Sequence, residues 1–484
     1  MKKFKKFLFN LILLFLFIYY YFCYINKFKK NINIFSKYEN YEKKINLNST
    51  CNNFDPINLF NLRLKNYPIQ LCNESTTKHI CFNSPKGFYN DLLVNNNGLI
   101  CIMENIILDP LKSKQTGLKY KGPVDPKNKG FPILYKGFLN SNCKYNNSNF
   151  SHNLLYESYL NSWNYEYNLD NDNENLEELA PGKTIFLISR NQDSPNIYHG
   201  NCEIINAVSM LYLFNLSPDK VQVIFLESLE LTKDPFYDIY KYIISRGGEP
   251  LFIRNLKKKY KISKGIHVPI IWDSTAFTKL NNIKCEYQTK TYKLYNDLVD
   301  KYLHIKSFSD SFYSDNEISY YPQKIIKNYE KNITFKKNIT IQWRRLWPKG
   351  RKGQFRILNN GKQLADRLAL GLPNNILVRL INTGELTIQE QISLMRSTDY
   401  LVGIHGAGLS LSIFLPNKSI LHEITHKPKN HLLTTMSMMS GHITYSNIIK
   451  AIITNNDGNE NVSFDENEFY ECILSHLKEN NFFN

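Results

Sequence analysis

Leu401-Val402-Gly403-Ile404-His405-Gly406-Ala407-Gly408-Leu409, followed by Phe414-Leu415-Pro416 and Leu421-His422-Glu423-Ile424, decides how this chain reads. An apolar run gives way to a turn of small residues, and a second apolar run carries an acid. The pattern predicts a buried strand, a turn opening a helix, and a second strand bearing Glu423 near its end. Gly406, Ala407 and Gly408 let backbone approach a ligand closely, and the free N–H groups of a helix start attract an anion. An acid at the end of the next strand is placed as in nucleotide-binding α/β sheets, where it holds ribose hydroxyls. Taken alone, the turn fits a plain strand-to-helix connection with a satisfied histidine equally well.

Its neighbours add to the pattern. Ile339-Thr340-Ile341-Gln342-Trp343-Arg344-Arg345 reads as a strand ending in paired arginines. Arg356-Ile357-Leu358-Asn359 follows, then a helical stretch from Gly361 to Leu370, then Leu386-Thr387-Ile388-Gln389-Glu390 leading to Asp399-Tyr400 and the turn. In that order these segments resemble the catalytic domain of glycosyltransferase family 61, which includes protein O-GlcNAc transferases of the secretory pathway and plant-type xylosyltransferases. The similarity is dense from Ile339 to Ile424 and thinner from Asn196 to Leu226. It implies a GT-B fold and inverting transfer from a UDP-sugar, without an essential metal or other cofactor.

Periodicity alone gives an α/β chain with two Rossmann-like lobes. Buried strands are expected at Thr184–Ile188, Val221–Leu226, Pro250–Ile253 and His267–Trp272, with helices at Ile197–Phe214 and Asp238–Arg246. A second alternation starts at Ile339 and runs to the strand Ser419–Ile424. The expected organisation is a cytosolic tail and signal anchor over 1–30, a stem over 31–50 and a cysteine-bearing β-rich region over 51–150. A linker or insertion over 151–182 precedes a first lobe over 183–335 on the acceptor side and a second over 336–484 on the donor side. Asp465 to Leu477 has the pattern of an amphipathic helix, free to pack back across the lobes.

Phe7 to Ile25 is nearly continuous in apolar residues and close to the length of a membrane-spanning helix. Lysines flank both ends, and Tyr21-Phe22-Cys23-Tyr24 is too bulky for a cleavage site, so an uncleaved type II anchor is expected. With Cys23 set aside, Cys51, Cys72, Cys81, Cys101, Cys143, Cys202, Cys285 and Cys472 lack zinc-finger spacing and favour disulfides. Sequons, among them Asn73, Asn215, Asn338 and Asn417, fit a secretory route, although an Asn-rich chain produces many by chance. The chain ends without a Lys-Asp-Glu-Leu retrieval signal, which favours the Golgi membrane over the endoplasmic reticulum. The net charge of +17 is spread over scattered lysines rather than a recognition motif, so no nucleic-acid partner is expected.

Sugar transfer from a nucleoside diphosphate needs a base for the acceptor proton and positive partners for the leaving group. Arg345 and Arg356 are the candidates for the diphosphate, with His405, Gly406, Ala407 and Gly408 beside them. His199 and Glu203 lie one helical turn apart, as a base and its orienting acid would. The family pattern matches His199 and has Asp where this chain has Glu203, which leaves the acid's detailed role open. A surface ion pair is the alternative for each. Glu423 is the candidate ribose ligand, and Glu227 a lesser cleft acid. His422 and His426 flank Glu423, but strand alternation turns His422 to the opposite face, which argues against a metal there. Asp170-Asn171-Asp172 has the form of a manganese-binding motif, yet its polar setting fits chance composition. The partners implied are a UDP-sugar, carrying GlcNAc or xylose, and a glycoprotein or glycan acceptor. The alternative is a secretory-pathway binding or scaffold protein with an inactive transferase fold.

Overall fold

The computed structural model describes residues 51, 55–66, 68–73, 77–83, 99–114, 133–143, 162–165, 176–190, 196–226, 236–269, 285, 287–308, 319–320, 336–343, 356–373, 375–425, 432–456 and 459–483. The apolar run 7–25, the Asp170–Asp172 sequence, Glu227, Arg344, Arg345 and His426 lie outside them. Among the described residues, no helix is long and apolar enough to cross a membrane.

Helix α1 (Pro56–Asn66) leads into the antiparallel strands β1 (Pro68–Asn73), β2 (Lys78–Asn83) and β3 (Leu99–Leu108). The short β4 (Ser113–Lys114) and β5 (Ile133–Leu134) pair together, while β6 (Leu139–Asn140) joins β3 to β7 (Trp163–Asn164). Then come β8 (Thr184–Ile188), α2 (Ile197–Leu213), β9 (Val221–Phe225), β10 (Leu251–Phe252) and β11 (Tyr260–His267). Strands β8 and β9 are buried along their whole length, as strands covered on both faces must be.

The parallel strands run in the order β10-β9-β8-β11, and β11 then pairs antiparallel with β3. The sheet is therefore mixed, not wholly parallel, and the cysteine region contributes its antiparallel edge. Of the strand expected at His267–Trp272, residues 270–272 lie outside the described residues; β11 ends at His267 and begins earlier than expected, at Tyr260, because Lys261, Ser263 and Lys264 interrupt its apolar signal. Gly265 admits Met103 from β3, whose Cγ would lie 2.8 Å from an added Cβ. Disulfides join Cys51 to Cys285, Cys72 to Cys143 and, across the β2–β3 register, Cys81 to Cys101. Cys202 and Cys472 remain thiols.

The second half comprises α3 (Lys290–Tyr302), β12 (Ser319–Tyr320), β13 (Lys337–Gln342), β14 (Arg356–Leu358), α4 (Gly361–Gly371), β15 (Ile376–Ile381), α5 (Ile388–Arg396) and β16 (Tyr400–Ile404). A 3-10 helix, Ala407–Phe414, precedes β17 (Ile420–Thr425), α6 (Leu432–Met439), β18 (Ile443–Ile448), β19 (Ala451–Asn456), β20 (Asn459–Phe464) and α7 (Glu466–Glu479). The main sheet runs β12-β15-β13-β16-β17-β18 and is parallel except for β12. Strands β14, β20 and β19 form a smaller sheet. Thr387 and Glu390 start α5 with a reciprocal capping box, satisfying two otherwise orphan amides. The sequon asparagine Asn338 is inside β13, where its amide donates to Ser397 O at 2.9 Å. The amphipathic helix α7 does not cross between halves. Phe469, Ile473 and Leu477 bury it on the second sheet, and Tyr470 donates to Gly371 O of α4 at 2.8 Å.

Both parallel arrays have Rossmann-like order: three, two, one, four in the first half and two, one, three, four, five in the second. One apolar core joins them. It runs from Phe186 and Ile188 through α2 and α3 to Leu401, Leu409 and Leu421. Polar links fix its register: Asn201 Nδ2 donates to Ser410 Oγ at 3.1 Å and Asn296 Nδ2 to Ile413 O at 2.9 Å. Asn201 and Ser410 are fully buried, so losing one partner leaves the other unsatisfied. Asn201→Ala is expected to cost about 1–3 kcal/mol. The check is the urea unfolding midpoint, which should fall at unchanged slope; an unmoved midpoint would show that this bond does not hold the halves in register.

Candidate functional site

From β13 the chain moves to β15 on one side, then returns past β13 to lay down β16, β17 and β18 on the other. The sheet thus reverses its winding between β13 and β16. In open α/β sheets the crevice beyond the carboxyl ends of such a strand pair receives the ligand. Gln342 ends β13 there, opposite Gly403, and His405 to Gly408 follow β16 directly.

Three contacts shape the turn. Arg356 Nη1 donates to His405 O at 2.6 Å. The arginine is brought there by β14, which is anchored where Trp343 Nε1 donates to Leu358 O at 3.1 Å. His405 N donates to Ile424 O at 3.0 Å, tying the turn to the end of β17. His405 Nδ1 pairs with Glu423 Oε1, which fixes the imidazole's orientation.

Space, rather than backbone conformation, explains the glycine at 408. Gly406 is extended, with φ 175°. A Cβ on Gly408 would lie 2.4 Å from Gln342 Nε2, which donates to Thr383 Oγ1 at 2.8 Å. The helix after the turn is a 3-10 helix. Leu409 N already donates to Gly406 O at 3.0 Å, so the turn offers fewer free amides than an α-helix start.

Glu423, the expected ribose ligand, lies near the end of β17. Its side chain is 1% exposed and its carboxylate is engaged by His405, which is itself 21% exposed. Glu423 therefore acts on the turn through the histidine. Its neighbour His422 faces the other way, toward Tyr400, as strand alternation requires.

His199 lies in the first turn of α2, whose N-cap Asn196 accepts from Tyr198 N at 3.1 Å. Burial lowers the imidazole to about 4, so it is neutral near pH 7. Glu203, one turn on, is also buried. Between them, Asn201 holds α2 to Ser410 of the 3-10 helix, so the His199 turn and the His405 turn border one junction. Arg345 falls outside the described residues.

Sequence reading passed over Gln342, Asn201 and Arg190. Arg190 is buried just past β8, with its guanidinium 3.7 Å from the Phe225 ring centroid. A polar residue at the carboxyl end of an apolar parallel strand was the available signal for Gln342 and Arg190.

Buried histidines also set an acid limit. Burial lowers His199 and His442 to about 4 and His422 to about 3, below the 6.5 of an open chain. The unfolded state therefore binds more protons, and their stabilising contribution is complete above pH 6.5 and declines as pH falls toward 4 and 3. Urea midpoints measured from pH 7 to pH 4 should fall; a flat profile would contradict the neutral buried imidazoles.

No curated protein matches the chain in a sequence comparison. The family model for Glycosyltransferase 61 matches residues 302–421, from the end of α3 into β17 and across Arg356 and the His405–Gly408 turn. That match supports a glycosyltransferase family 61 assignment through residues 302–421.

Proposed function

We propose that this chain is a glycosyltransferase that moves a sugar, GlcNAc or xylose, with inversion from a UDP-sugar to a glycoprotein or glycan acceptor. In this reading the two Rossmann-like halves work as a GT-B pair, and the donor lies where β13 and β16 diverge. The observation that carries the proposal is the Arg356 guanidinium bound to the His405 carbonyl at that divergence. A guanidinium fork matches phosphate oxygens, and contact with the turn aims it before the donor arrives.

An acceptor hydroxyl attacks the anomeric carbon as the bond from that carbon to the diphosphate oxygen breaks. The acceptor proton passes to a base, and UDP leaves. Arg356, with Arg345, offsets the charge that grows on the diphosphate. His405, oriented by Glu423, presents its imidazole to the same group, and Gly406 to Gly408 let the backbone come close. The neutral imidazole of His199, from the first half, is the candidate base, with Glu203 as its companion acid. The chemistry is assigned to these side chains and needs no metal.

The three disulfides and the apolar run 7–25 support a single-pass, luminal enzyme of the Golgi membrane. Purified full chain offered a panel of UDP-sugars, with the product read by mass spectrometry, is expected to transfer or hydrolyse one of them. Arg356→Ala should lower kcat/KM by about 100-fold or more, the range for removing a donor aimed at developing charge. Turnover of no donor, together with no UDP binding by calorimetry, would leave the inactive scaffold as the reading.

A further inference from the structure

Behind β17, on the face opposite Glu423, three metal-ligating side chains converge with no part in the transfer site. His422 comes from β17; Cys472 and His476 lie one turn apart on α7. Each offers a ligand atom, and the three atoms lie within 4.8 Å of one another. His422 Nε2 is 3.9 Å from Cys472 Sγ. In a tetrahedral zinc site, ligand atoms stand roughly 3.3–3.6 Å apart, so small side-chain adjustments would close the set.

A second feature orients the ligands. The Tyr400 phenol oxygen lies 2.9 Å from His422 Nδ1 and 3.3 Å from His476 Nδ1. With both Nδ1 atoms occupied by one oxygen, each ring keeps Nε2 as the nitrogen it can offer a metal. Metal-bound histidines are normally held this way, by a hydrogen bond at the second ring nitrogen. Tyr445 stacks on His476 with centroids 3.6 Å apart, fixing the ring plane. A fourth ligand is also at hand. Asn447 stands beside His422, with its side chain in hydrogen-bond reach of that imidazole.

We infer that His422, Cys472 and His476 form a structural zinc site that fastens α7 to β17, with Asn447 Oδ1 completing the tetrahedron. One thiolate and two imidazoles make a borderline-soft set suited to zinc rather than to calcium or magnesium. On binding, the Cys472 thiol gives its proton to solvent and sulfur–zinc and nitrogen–zinc bonds form, with no change in oxidation state. The other His/Cys group among the described residues, His79 with Cys81 and Cys101, has both sulfurs in a disulfide and is closed to metal.

The test is metal analysis of the purified full chain, followed by cobalt(II) titration of the chelator-treated protein. One equivalent of zinc is expected, and cobalt should give the intense thiolate charge-transfer band of a tetrahedral site. Tyr400→Phe should weaken metal affinity about 10–100-fold, as the loss of an outer-shell hydrogen bond does. Cys472→Ser should abolish the band. Absence of zinc with no thiolate band in the wild type would overturn the inference, as would equal affinity in Cys472→Ser; either result would mean the cluster is only a buried hydrogen-bonded group. The wild-type spectrum decides even if the serine variant does not fold, and none of these readouts depends on sugar transfer.

Discussion

The packing of α2 against the 3-10 helix Ala407–Phe414 is the constraint on which the arrangement of this molecule depends. Both segments are apolar, and an apolar contact alone tolerates sliding. Asn201 to Ser410, Tyr295 to Asn201 and Asn296 to Ile413 remove that freedom, because each of these polar groups finds its partner in one alignment only. The consequence reaches past the core. The first turn of α2 and the glycine turn before the 3-10 helix are each within a few residues of that contact, so two histidines from distant parts of the chain border one junction.

Strand alternation then divides β17 between two tasks. Glu423 points to the His405 side and His422, one residue earlier, to the α7 side. A slip of one residue would exchange them and place an imidazole cluster beneath the turn. The parallel pairing of β17 with β16 and β18 from Ile420 onward excludes that slip, since Leu421 must meet the core between the sheets while Ile420 and Ile424 meet the core under α4 and α7.

Local periodicity made the second half legible in the sequence. Strands β13, β15, β16 and β17 are apolar runs bounded by turn residues, and the capping box of α5 stands out in Thr387 and Glu390. Features set by long-range pairing were hidden. Strand β11 alternates with lysines and earns its place only by pairing with β3 and β8, and β14 is too short to show a period. The partner of Glu423 was equally out of reach. Spacing places an acid at a strand end but cannot say whether it faces a ligand or a histidine eighteen residues away. The small residues of the turn suggest close approach of a ligand, while the group that a Cβ on Gly408 would meet is Gln342 from β13, which spacing along the chain does not reveal.

The position of Arg356 adds a last step to the transferase reading. A free arginine must lose side-chain freedom when it grips a phosphate, and that loss weakens binding. Here one Nη1–H is already committed to the His405 carbonyl, so the guanidinium plane is set in advance. The guanidinium's other N–H groups keep their fixed geometry relative to that anchor. Lysine in its place would carry the same charge without a plane to set, and the turn would lose the contact that holds its carbonyl. The carbonyl also explains why the turn must stay narrow. A Cβ on Gly408 would push Gln342 away from Thr383 and shift the backbone that carries His405 and its bonded arginine. Charge, aim and glycine content at this turn are therefore parts of one requirement, that a cation be held against backbone where two parallel strands part.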